Sequence, residues 1–181
     1  MKGIIFVKLS EFVEKTWGLT LWDELLQESD LDSGGIYTSA GLFGDQELHS
    51  LVALIASKKA ITVEKTQKAF GEWVFKELYA LAHAGAHKFV DVFEFLHGVQ
   101  NIIHVEVKKL HPDALIPEFE FLFESEKILR FHYKSPRKLC YFCEGLVYGL
   151  SKHMNQEVTV THIECEHKND ERCVIEVIKV G

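Results

Sequence analysis

NIIHVEVKKLHPDALIPEFEFLFE, residues 101–124, changes its period partway along. Up to Leu110 the apolar residues keep helical spacing, and a long helix is expected over about 88–110. Pro112 should end it, because the residue before a proline is pushed out of the helical region. Beyond Pro117, Phe119, Phe121 and Phe123 alternate with Glu118, Glu120 and Leu122, which is the two-residue period of a strand. The stretch 127–135, KILRFHYKS, reads as the partner strand. Residues 138–154 return to helix, and EVTVTHIEC with RCVIEVIKV then form a second hairpin around EHKNDE.

Upstream, the chain reads as helices. Thr20 and Asp23 resemble a capping pair ahead of Leu25 and Leu26, and Asp45 is a candidate cap for a helix carrying Leu48, Leu51, Val52 and Ile55. Phe70, Val74, Leu78 and Leu81 continue at helical spacing until HAG at 83–85 signals a stop. Gly71 inside that helix costs on the order of 1 kcal/mol against alanine. It is either tolerated weakness or a place where the backbone approaches something flat. Helices, hairpin, helix, hairpin is the order of an α+β fold with an antiparallel sheet of about four strands. The length of 181 residues suits one domain. It reads as two lobes, a helical one over about 1–62 and a sheet-bearing one over about 63–181.

Composition narrows the function. The net charge of −7 disfavours broad nucleic-acid binding, which draws its affinity from cations neutralising phosphates. No apolar run approaches the roughly 20 residues of a membrane span. MKGIIFVKLSEF carries no cleavage-site pattern, so a cytoplasmic chain is expected. There, four cysteines are read as thiols or metal ligands before disulfides.

Two features carry chemistry. Tyr133, Ser135 and Arg137 alternate, so in an extended segment they face one way. Two hydroxyls and a forked guanidinium suit a ligand with one or two carboxylates, although exposed strand faces often carry the same residues. His104 lies beside Ile103 and one turn before Val107, near the apolar stripe of its helix. A histidine there is either a core residue or an axial metal ligand facing an apolar cavity.

Taken together, HVEVKKLHPDALIPEF, YKSPR, the opening MKGIIF and Phe70–Gly71 resemble the haem nitric oxide/oxygen-binding (H-NOX) family over essentially the whole chain. The resemblance implies a b-type haem with His104 as proximal iron ligand and Tyr133, Ser135 and Arg137 on its propionates. Pro117 would press on the porphyrin. Ile5, Leu9, Phe75, Leu78 and Leu146 would form apolar wall, with Gly71 allowing close packing. Oxygen-binding members resemble one another in a distal tyrosine that donates to dioxygen. Five residues after Arg137 this chain has Phe142, with Tyr141 next to it. Phe142 and Leu146 share a helix face, so Phe142 is the residue placed toward haem, and selective nitric oxide sensing is the implied function. No catalytic residues are expected. Stand-alone bacterial members resemble partners of histidine kinases or cyclic-di-nucleotide enzymes, which implies a two-component signalling role.

Cys140 falls about 200° around the helix from Phe142, at roughly 100° per residue. It therefore points away from the haem and could meet the terminal hairpin carrying His162, Cys165 and Cys173. Cys140, His162, Cys165 and Cys173 make a tetrahedral zinc set, and some bacterial members of the family look similar there and carry a structural zinc. Cys143 is a rival ligand. A CxxC redox pair and inert buried thiols are further readings of CYFC. A thiol/zinc redox sensor is therefore the alternative to gas sensing.

Overall fold

Helical period and strand period appear where the residues dictate. The computed structural model describes residues 1–82 and 84–180, so His83 of the expected stop signal lies outside them. The chain packs as two units, Met1–Phe70 and Gly71–Gly181.

In the first unit, α1 (Gly3–Trp17) buries Phe6, Leu9, Phe12 and Val13, an i, i+3, i+4 stripe. It meets α2 (Leu19–Glu28) at Gly18, whose φ of 95° lies in the left-handed region. Gly18 itself caps α2. This corrects the Thr20/Asp23 expectation: both residues already lie inside the helix. Asp45 is likewise the first residue of α3 (Asp45–Lys59), not its cap. Its Oδ1 pairs with the terminal amine of Met1 at 2.7 Å. The loop between α2 and α3 is fastened by the buried Glu47, which accepts from Ser33 Oγ at 2.5 Å and Tyr37 Oη at 2.7 Å. α4 (Val63–Leu81) carries the chain into the second unit.

The second unit holds α5 (Val92–Gly98), a π turn over Val99–Ile103 and α6 (His104–Leu110) as one run. The expected helix over 88–110 therefore starts later and is interrupted. Ala84–Lys88 is a separate 3-10 turn, and Asp91 caps α5 by accepting from Phe93 N at 2.8 Å and Glu94 N at 3.3 Å. The far end is as expected, with α6 stopping at Leu110 ahead of Pro112.

The four strands β1 (Glu118–Glu124), β2 (Ile128–Lys134), β3 (Val158–Glu164) and β4 (Val174–Lys179) form one antiparallel sheet in the order β1-β2-β4-β3. β2 buries Leu129, Phe131 and Tyr133 in alternation, and β4 between two neighbours is buried almost throughout. α7 (Cys140–Met154) buries Cys140, Cys143, Glu144, Val147, Leu150 and Ser151, again a helical stripe. On β1 the alternation breaks. Register shifts between Phe121 and Phe123, and Phe123 ends 48% exposed.

Candidate functional site

His104 opens α6, directly after the π turn. Its Nδ1 is buried and makes no hydrogen bond among the described residues. Burial pushes the imidazole down to a pKa of about 4, so the ring is neutral at physiological pH. A neutral ring with a nitrogen lone pair is the form that binds a metal. The ring meets Phe119 edge-on, with centroids 5.6 Å apart.

The anion-seeking triplet starts on β2 and continues past its end. Tyr133 is buried, while Ser135 and Arg137 are half-buried after the strand. Burial, reinforced by Cys143, pushes the Tyr133 hydroxyl up, so it keeps its proton and can donate. Ser135 Oγ accepts from Arg137 N at 3.3 Å. Strict strand alternation does not reach Arg137, because Pro136 and Arg137 lie in a turn. The hydrogen bond to Ser135 nonetheless holds the Arg137 backbone beside it. Arg137 Nη1 donates to the Leu115 carbonyl, one of five guanidinium donors.

A cleft of about 360 Å³ lies beside His104 and reaches Pro136, the residue between Ser135 and Arg137. It is lined by His104, Leu115, Pro117 and Pro136 among others. The histidine, the proline thirteen residues on and the turn carrying Arg137 thus border the same space. A neutral imidazole without a partner for Nδ1 among the described residues, two hydroxyls and a guanidinium are residue types that suit an iron porphyrin with two carboxylates.

α7 contributes two corners. From Gly71 onward α4 lies so close to α7 that a Cβ at Gly71 would strike the Phe142 carbonyl and come within 3.0 Å of Leu146 N. The glycine thus serves helix–helix contact, and the flat surface expected against it is another backbone. Phe75 is buried in the core, and Leu78, Phe142 and Leu146 are half-buried. Ile5 and Leu9 lie on α1 of the first unit, Leu9 fully buried and Ile5 half-buried.

Tyr141 belongs to the other corner. Its ring stacks on His162 with centroids 4.5 Å apart, and its hydroxyl is 3.8 Å from Cys165 Sγ. Here the sulfurs of Cys140, Cys165 and Cys173 all lie within 4.8 Å of one another. Cys140 and Cys165 are 3.7 Å apart. Cys143, buried one turn on, is outside that group. His162 is also outside it, but stands beside Cys165. Its Nε2 is 3.1 Å from Glu144 Oε2, without a well-directed hydrogen bond from either ring nitrogen. Burial works against a charged His162 ring, and the Glu144 and Cys165 neighbours outweigh it and raise the pKa.

Residues 2–162 match the family model described as Haem-NO-binding. The chain belongs to the H-NOX, or haem-NO-binding, family. Members are haem-based gas sensors. Among solved structures, the chain is similar to an H-NOX protein from S. oneidensis in the Fe(II)NO ligation state, at 30% identity and a TM-score of 0.91, covering 100% of both chains. An Fe(II) unliganded H-NOX protein from K. algicida gives 28% identity and 0.89, over 100% of this chain and 97% of that one. The IWP-051-bound H-NOX from Shewanella woodyi gives 30% and 0.82, over 99% and 95%. The helical lobe and four-stranded antiparallel sheet are the H-NOX fold.

Sequence reading missed three contributors to this H-NOX site. Gln100, in the π turn, accepts from Phe119 N at 2.8 Å. Phe119 supplies the ring against His104, although its alternation with Glu118 and Glu120 marks it only as a strand residue. Glu144 faces His162 from α7. None carries a spacing signal, since each acts across elements that sequence order does not bring together.

Proposed function

We propose that this chain senses nitric oxide through a b-type haem held by His104, and that release of His104 switches a signalling partner. The observation that carries the reading is the state of His104. It is neutral, has a buried nitrogen without a partner among the described residues, and borders a cleft shared with Pro117 and Pro136. Tyr133, Ser135 and Arg137 would hold the propionates and Pro117 would bear on the porphyrin. Held by His104, haem would supply a ferrous iron able to take a diatomic gas.

The chain's own residues account for selectivity and output. Tyr141 is turned to His162 and Cys165, which supports Phe142 as the α7 residue on the gas side, with Leu146 beside it. Phenylalanine offers no hydrogen bond to dioxygen, and distal-pocket polarity governs which gas is held. α6 is the element whose restraint depends on His104. Freed from it, α6 presents a different surface, a two-state element biased by ligand. A histidine kinase or cyclic-di-nucleotide enzyme is the partner class proposed to read it. The chain acts as a sensor and not an enzyme, and cytoplasmic residence follows from that partner class. No helix among the described residues is long and apolar enough to cross a membrane.

The test is His104→Gly. The variant is expected to lose axial haem attachment and recover it when free imidazole is added, followed by visible spectroscopy. Unchanged spectra without imidazole would overturn the assignment.

The converging sulfurs of Cys140, Cys165 and Cys173 favour a second role for the α7 corner, a zinc or thiol site with His162 as the fourth group. About one zinc per chain is expected by metal analysis, lost in Cys173→Ser. A metal-free chain whose thiols oxidise together would instead favour the redox reading.

A further inference from the structure

The π turn before His104 packs Val99 and Ile103 on the core and is tied to the sheet by a side-chain hydrogen bond. A π turn holds more residues than an α turn, so its relaxation to α geometry would rotate all that follows by about 100°. Upstream, α5 is anchored. Asp91 caps it, Lys179 Nζ pairs with Asp91 Oδ2 at 2.6 Å, and Gln156 Oε1 accepts from Val92 N at 2.9 Å. The π turn itself is joined to the sheet through Gln100, whose Oε1 accepts from Phe119 N at 2.8 Å.

That bond has a physical cause. β1 is an edge strand, so alternate N–H groups along it face away from β2 and need another acceptor. Phe119 is 8% exposed, and a buried N–H left without an acceptor is costly. Gln100 supplies the acceptor. The ring of the same Phe119 meets His104 at 5.6 Å and Tyr133 at 6.0 Å between centroids. One hydrogen bond therefore ties the turn that aims His104 to the strand residue whose ring the imidazole leans on. Since His104 Nδ1 has no acceptor among the described residues, no hydrogen bond from that nitrogen orients the ring.

We propose that Gln100 is a positioning residue for His104: by clamping the π turn to β1 through Phe119, it sets the imidazole angle and with it the strength of the iron–histidine bond. The inference rests on His104 being the haem ligand. It adds a determinant of how readily that ligand is released.

The test compares Gln100→Leu, which keeps the size and removes the acceptor, with Gln100→Glu, which provides one again. Both are read in the haem-loaded ferrous protein without gas. Hydrogen exchange at the Phe119 amide reports the clamp, and the iron–histidine stretching band in resonance Raman reports the ligand. Gln100→Leu is expected to speed Phe119 exchange by about tenfold and to move the band to lower frequency, while Gln100→Glu restores both. Faster exchange with an unmoved band would overturn the proposal, leaving a local hydrogen bond only. Unchanged exchange would overturn it too. If Gln100→Leu does not fold, Gln100→Asn, one methylene too short, carries the same comparison. No iron–histidine band in the unsubstituted protein would remove the His104 assignment itself, and this inference with it.

Discussion

At the scale of single residues, the chain uses absence as much as presence. Among the described residues His104 Nδ1 has no hydrogen-bond partner, and Phe142 lacks a hydroxyl. Gly149 lacks a Cβ, which on α7 would meet the Glu72 carbonyl at 2.8 Å and the Phe75 ring at 2.9 Å. Backbone cannot yield as a flexible side chain does, and overpacking typically costs about 1–3 kcal/mol. Gly149→Ala is expected to lower stability by that amount in a denaturant titration of the ferrous protein. The shift should be accompanied by altered packing of Phe75. An unchanged midpoint would show that α4 and α7 separate freely. The functional residues were legible to different degrees. His104, Pro117 and the triplet stood out because their spacing is specific in combination. Gln100 and Glu144 did not, because a polar side chain on a helix reads as solvated until its partner strand is known.

At the scale of elements, the helix that carries His104 is fixed at its start by charge as well as capping. Burial disfavours the Asp91 carboxylate, but Lys179 and the N–H groups of Glu94 and Phe93 outweigh it and hold its pKa below the usual 3.8. Lys179 also stands over the Phe93 ring at 4.0 Å. Because the folded-state value is depressed, the stabilisation is present above the unfolded value and lost as pH falls below about 3.8. Asp91→Ala is therefore expected to cost about 1 kcal/mol near neutral pH, and the gap from the unsubstituted protein should shrink at pH 3. A gap that persists in acid would mean that the carboxylate charge contributes nothing. The helix and sheet periods on either side of Pro117 were readable because one follows 3.6 residues and the other two. The π turn and the shift between Phe121 and Phe123 were not, since both insert a residue without changing which residue types occur. Gly18 replaced the expected Thr20/Asp23 cap for a related reason: its left-handed φ ends one helix and begins the next within a single residue.

At the scale of the whole molecule, the second unit gathers two chemistries on one helix. Phe142 and Leu146 lie on the face of α7 next to Gly71, and Cys140 lies on the face toward the β3–β4 hairpin. The roughly 200° between Cys140 and Phe142 made this division legible from sequence. The selection of Cys140 over Cys143 was not, because it depends on where the Cys165 and Cys173 sulfurs converge. In the proposed sensor, Phe142 and the thiol corner occupy opposite faces of α7, and the histidine proposed to be released sits on α6. The most direct measurement is the visible spectrum of the reduced, haem-loaded protein, first in air and then under nitric oxide. No stable oxygen complex is expected in air, and nitric oxide is expected to give a five-coordinate spectrum as His104 leaves the iron. A stable oxygen complex, or a nitric oxide complex that stays six-coordinate, would contradict selective sensing through His104 release.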